Sequence, residues 1–167
     1  MQAEYYTGYY DKQSSDYIGR FLDYHYNVSL TNWDYSSVLN YSASLLYIRY
    51  LAERFGDDVI KRLYTASDSG ILAVESATGV DFDEIFKDFV MAVFISGRGI
   101  STVPKYNFKT IDIRAKGCLA AFSNLDVGRN VTFPILPYSM QLIRWNGVVT
   151  KISISDSVEA YGAPIFD

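Results

Sequence analysis

At 167 residues the chain is long enough to bury a core as one domain, or as a domain with a small appendage. Its 49% hydrophobic content and net charge of only −4 exclude a disordered chain, and a single cysteine, Cys118, excludes a disulfide framework, a zinc ribbon and a CxxC redox site. An acidic pI of 4.9 argues against general nucleic-acid binding, and the most apolar stretch, 89–95, is far shorter than the roughly 20 residues of a membrane-spanning helix.

Residues 1–98 read as a bundle-like half of about five helices. Residues 2–10 carry weak helical periodicity. Tyr17, Ile18, Phe21 and Leu22 imply a helix beginning near Ser14 or Ser15. Ser36 or Ser37 can cap the next helix, whose apolar face runs Tyr41, Leu45, Ile48, Leu51, Ala52 and Phe55 before Gly56 stops it. A short helix through Val59, Ile60 and Leu63 starts at Asp57 or Asp58. Another, from Ser69, carries Ile71, Leu72 and Val74 and stops at Gly79. Asp81 with Glu84 is a relative of the capping box, and Val80 with Ile85 stands where a hydrophobic staple closes. The helix they begin shows a wide face of Ile85, Phe86, Phe89, Val90, Val93 and Phe94, which predicts a central place in the core.

Beyond Gly97 the texture changes. Residues 99–105 read as a linker, and 106–167 as a small β-rich region. Tyr106, Phe108, Thr110 and Asp112 alternate as on a strand. The stretches 131–135, 140–145 and 148–154 are rich in β-formers, and Asn146-Gly147 is a two-residue hairpin signal. The expected fold class is therefore α+β: a helical half followed by a small antiparallel β region.

Most catalytic classes fail on inventory. His25 is the only histidine, and the chain has no HExxH, GxSxG, Walker loop or paired-glycine fingerprint. Asp57, Asp58, Asp81, Asp83 and Glu84 read as acids at helix N-termini, where the macrodipole favours negative charge. Asn27, Asn40 and Asn130 head glycosylation triplets, and Cys118 reads as a small buried hydrophobe. The 15 tyrosines are unusual, 11 of them before residue 51. Tyrosine buries area while keeping a polar tip, so this stretch suits either aromatic packing between helices or a tyrosine-lined groove.

The order of these signals resembles a known family. The run Asn40-Tyr41-Ser42-Ala43-Ser44-Leu45-Leu46-Tyr47 continues to Arg54-Phe55-Gly56, and Asp58-Val59-Ile60-Lys61-Arg62-Leu63 follows. After Thr78-Gly79-Val80 comes Asp83-Glu84-Ile85-Phe86-Lys87-Asp88-Phe89-Val90-Met91-Ala92. Over 1–97 the chain resembles the distal half of the catalytic domain in gluzincin-type zinc metallopeptidases, nearest to the bacterial hyicolysin-like family. In that family a helix ending in Phe-Gly leads to a helix of the form F-x-x-I-F-x-D-W-x-x-A and then to a β-rich region; here Phe89 stands where tryptophan is usual.

The resemblance implies a zinc site upstream, with two histidines and a general-base glutamate on one helix and a ligand glutamate on the next. The opening Met1-Gln2-Ala3-Glu4-Tyr5-Tyr6 is similar to the part just after that ligand, and Glu4 itself reads as a surface acid. The chain is then expected to be a truncated or degenerate metallopeptidase, without cofactor itself and with zinc only in a full-length parent. It would be inactive alone, forming a cleft wall. Tyr5, His25, Trp33, Tyr35 and Tyr41 are the wall candidates, because a positioned tyrosine or histidine can stabilise an oxyanion. A peptide or protein substrate, dimerisation through the exposed N-terminal helical surface and an extracellular or cell-surface location are implied with it. The alternative is a complete, non-enzymatic binding module with a tyrosine-rich surface.

Overall fold

The computed structural model describes residues 9–33, 38–116, 123–126, 135–141 and 143–146. The element order is α1 (Tyr9–Tyr24), a 3-10 turn (His25–Asn27), α2 (Val38–Phe55), α3 (Asp58–Thr65), α4 (Gly70–Thr78) and α5 (Phe82–Ile95). A second 3-10 turn (Pro104–Tyr106), α6 (Ile113–Lys116), β1 (Ser123–Asp126) and β2 (Ile143–Asn146) follow.

The helices form where the sequence places apolar residues three and four apart, and α2 and α4 stop at a glycine in the left-handed region. Gly56 has φ +83° and its N–H closes on the Ala52 carbonyl at 2.8 Å; Gly79 has φ +70° and bonds the Glu75 carbonyl at 2.7 Å. At the start of α5 the Asp81 carboxylate accepts from the N–H groups of Asp83 and Glu84, at 2.9 and 3.4 Å. Glu75 takes the N–H of Phe82 at 3.1 Å, so the preceding helix shares in the cap.

The core is built on Ile18, Phe21 and Leu22 of α1, Leu46, Tyr47, Tyr50 and Leu51 of α2, and Phe82, Ile85, Phe89 and Val93 of α5. Phe89 is its aromatic centre. Tyr47 meets it edge-on, ring centroids 5.2 Å apart, and Tyr50 tilts against it at 5.5 Å. The buried face of α2 is turned from the expected one: Tyr41 is 40% exposed, while Tyr47 and Tyr50 are inside. In α4, Ala73 and Ala77 are buried and Leu72 is exposed.

The expected α+β class with an antiparallel β region does not hold. The described fold is helical, and its extended pairing is confined to β1 and β2, which run parallel with Ser123 opposite Ile143 and Asp126 opposite Asn146. A parallel pair needs a long crossover, which the connection 127–142 is long enough to provide. The expected strand over 106–112 is absent as well. Its backbone donors go to helix side chains rather than to a neighbouring strand: Phe108 N–H to the Ser96 hydroxyl at 3.0 Å, and Lys109 and Thr110 N–H to the Glu53 carboxylate at 2.6 and 2.9 Å. Ile111 and Ile113 of this segment join the core, as does Met140 further on. The β-rich stretches 131–134 and 148–154, and the residue Gly147 of the hairpin signal, lie outside the described residues.

Gly97 and Gly99 share a left-handed backbone, φ +72° and +70°, but a Cβ on Gly97 would stand 2.9 Å from Cγ of Arg114, whereas one on Gly99 meets open space. Gly99→Ala should cost about 1 kcal/mol in urea unfolding, the cost of a left-handed non-glycine residue. Gly97→Ala should cost measurably more, since Arg114 must also move.

Candidate functional site

Among the described residues a buried cluster of charge sits where α2, α5 and the second 3-10 turn meet. Asp88 is 1% exposed, on the face of α5 that also carries Ile85, Phe89 and Ala92. Its Oδ2 receives Arg54 Nη1 from the last turn of α2 at 3.0 Å and Lys105 Nζ at 3.0 Å. Arg54 also lies 3.7 Å from Glu84, one turn before Asp88, and 4.9 Å from the centroid of the Phe55 ring. Tyr50 completes the set: its hydroxyl donates to the Lys105 carbonyl at 3.1 Å and accepts from Arg54 at 3.4 Å. Burial pushes the Tyr50 phenol well above its ordinary value, and the bond to Asp88 raises Lys105. Two cations share one carboxylate oxygen, so the cluster is a clasp between elements and not a proton-transfer pair.

The wall candidates divide. Tyr5 and Tyr35 lie outside the described residues. Trp33 and Tyr41 come together edge to face, centroids 5.0 Å apart, and the indole N–H donates to the Leu30 carbonyl at 3.2 Å. His25 does not face a cleft. It is fully buried, and its Nδ1–H donates to the Leu22 carbonyl at 2.7 Å. Burial lowers its pKa from 6.5, opposed by the Leu22 bond and by Asp23.

A surface cavity of about 260 Å³ is lined by Arg49, Ala52, Glu53, Asp57, Lys109 and Thr110. Its Glu53 carboxylate is taken up by two backbone N–H groups and by the Thr110 hydroxyl. Among the described residues no three His, Cys, Asp or Glu side chains gather in a way that could hold a metal ion. The expected helix-end acids are in place, with Asp81 capping α5 and Asp58 pairing Lys61 at 3.1 Å on the surface. Asn40 is buried and its amide donates to the Ser29 carbonyl at 2.9 Å, which closes its glycosylation triplet in the folded chain. The Tyr47 hydroxyl is buried without a hydrogen-bond partner, and burial raises its pKa far above the ordinary value.

Sequence reasoning missed the clasp. Its signal was an acid at position 88 amid the apolar stripe 85, 89 and 92, where a charge must find a partner. Compared with protein-family models, curated proteins and solved structures, the chain matches none. Among the described residues no helix is long and apolar enough to cross a membrane.

Asp88→Ala would leave the Arg54 guanidinium, whose side chain is 14% exposed, without its closest carboxylate. A loss of about 3–5 kcal/mol in urea unfolding is expected, with part recovered when Arg54→Met is added. His25 predicts the pH response. Its folded pKa lies below the unfolded 6.5, so the unfolded chain binds more protons there and stability falls as pH drops below 6.5 through the folded value. Urea titrations at pH 7.5 and 5.5 should show a drop that is smaller in His25→Leu.

Proposed function

We propose that the helical unit is the distal, cleft-wall half of a gluzincin-type zinc metallopeptidase-like domain, akin to the hyicolysin-like family, acting outside the cell or at its surface. One observation carries this reading. The two sequence blocks that bear the resemblance, Arg54-Phe55-Gly56 and Ile85-Phe86-Lys87-Asp88-Phe89, meet physically in the Arg54–Asp88 pair at 3.0 Å. A shared pattern of caps and apolar positions arises in unrelated helical domains; an internal charge matched by a charge in the other block is a more particular demand.

Zinc does not fit the described residues of this chain. There is no HExxH, and the described carboxylates and His25 do not converge. No step of hydrolysis is therefore assigned to them, and the part left to this unit is to shape and line a peptide-binding cleft, with the Trp33–Tyr41 pair as its described aromatic edge. A second reading, a non-enzymatic binding module, draws on the exposure of Tyr24, Tyr41 and Tyr64, at 51%, 40% and 79%.

The gene separates the two. The reading frame upstream of the Met1 codon should encode HExxH and a ligand glutamate, and the protein made from the whole frame should hydrolyse casein and lose that activity to a zinc chelator. An upstream sequence with no such motif overturns the peptidase reading and leaves the binding module.

A further inference from the structure

Residues 97–110 cross the α2–α5 pair without one buried residue between Ser96 and Ile111. Those two are 4% and 8% exposed, so both ends of the segment are fixed in the fold. The apolar contact in between is Phe108, half-buried, with its ring centroid 5.9 Å from that of Tyr50. At the near end Gly97 and Gly99 hold a left-handed backbone, φ +72° and +70°, and a Cβ on Gly99 meets open space. Two glycines so close together give the chain a place to absorb a change of φ and ψ.

What holds the segment down is polar. Lys105 Nζ lies 3.0 Å from Asp88 Oδ2, and Tyr50 donates its hydroxyl to the Lys105 carbonyl at 3.1 Å. The Phe108 N–H goes to the Ser96 hydroxyl at 3.0 Å. Glu53 takes the Lys109 and Thr110 N–H groups, at 2.6 and 2.9 Å, and the Thr110 hydroxyl. Three of these six attachments therefore end on one carboxylate. The segment also has an inner frame. The Tyr106 N–H closes on the Val103 carbonyl at 3.0 Å, and the Asn107 amide donates to the carbonyls of Ser101 and Val103, at 2.9 and 3.0 Å. These bonds do not involve the helices, so they persist when the segment lifts and make it move as a unit.

We propose that 97–110 is a hinged strap that opens as one piece while the helices stay folded, that Glu53 is its latch, and that opening uncovers the Asp88 carboxylate with Arg54 still on it. A segment that buries little apolar surface and is held by hydrogen bonds within reach of solvent lies at the low end of local stability. Asp88 lies at the other end. It is 1% exposed on the core face of α5, and its 3.0 Å contact with Arg54 belongs to the helices alone. Lys105 is the removable one of its two cations. Closed, the strap completes the clasp; open, it presents a helix-borne carboxylate–guanidinium pair to solvent. This gate does not depend on the peptidase reading.

Native-state hydrogen exchange on the full chain tests it. In the wild type the Phe108, Lys109 and Thr110 amides should share one protection factor, at least about a hundredfold below that of the Phe89 and Val93 amides of α5. Glu53→Gln should raise exchange at all three by about tenfold or more, the effect of losing charge-assisted bonds, and leave α5 unchanged. The Phe108 amide is decisive, since its own acceptor is Ser96 and not Glu53. A rise at Lys109 and Thr110 alone is local fraying and overturns the proposal, as does exchange of the strap together with α5. Carbodiimide coupling of glycine ethyl ester to Asp88, read by peptide mass spectrometry, should rise in Glu53→Gln by the factor seen at Phe108. An unchanged yield at Asp88 overturns the gate. Should the variant not fold, the wild type decides: unequal protection across the three amides, or protection equal to that of α5, overturns the proposal.

Discussion

A carboxylate inside an apolar helix face is a constraint the rest of the fold has to answer. Asp88 sits one residue from Phe89, the centre of the aromatic core, and its charge cannot remain there without cations. Arg54 reaches it only because α2 ends where it does, at Phe55-Gly56, with the guanidinium in the last turn. Lys105 reaches it only because the chain beyond α5 turns back across the helix pair. The register of α2 against α5, the length of α2 and the return of the chain after Gly99 are thereby tied to a single oxygen atom. Tyr50 ties them again, through its hydroxyl to the Lys105 backbone and its ring to Phe89 and Phe108.

Beyond α5 the chain is attached by side chains standing in for a strand partner. Glu53 accepts two consecutive backbone N–H groups, Ser96 a third, and Ser29 holds the Pro137 carbonyl. The half-buried Phe108 N–H and the exposed N–H groups of Lys109 and Thr110 thus find side-chain oxygens as partners without a sheet. This is why alternation of apolar residues over 106–113 coexists with no strand there. Ile111 and Ile113 point to the core as strand residues would, while the ladder is replaced by carboxylate and hydroxyl acceptors.

The helical half was legible because its signals are local. Gly56, Gly79 and Asp81 act through their own backbone positions, and spacing alone placed α2 to α5 within a residue or two. The C-terminal part was not, because whether an alternating segment forms a ladder depends on what lies beside it in space. The same distinction runs through the candidate residues. Trp33 and Tyr41 lie eight positions apart and are brought together across a helix start, whereas His25, chosen as the lone histidine, was claimed by the core. Tyr41 was assigned to the buried face because period alone cannot tell which edge of a wide apolar stripe meets solvent; Tyr47 and Tyr50 took that place because Phe89 stands opposite them. Arg54 and Asp88, 34 positions apart, gave only half a signal, an acid in an apolar stripe.

Asn40 links the fold to the history of the chain. Its side-chain amide is the nitrogen an oligosaccharide transferase would modify, and in the finished protein that nitrogen is spent on the Ser29 carbonyl in a space with no room for a sugar. The transferase works on nascent, unfolded chain, before any such bond exists. A sugar at this position and a closed junction between α2 and the loop 28–32 are mutually exclusive, so in a host that glycosylates its exports the yield of folded protein is a race between winding one helix and decorating its third residue.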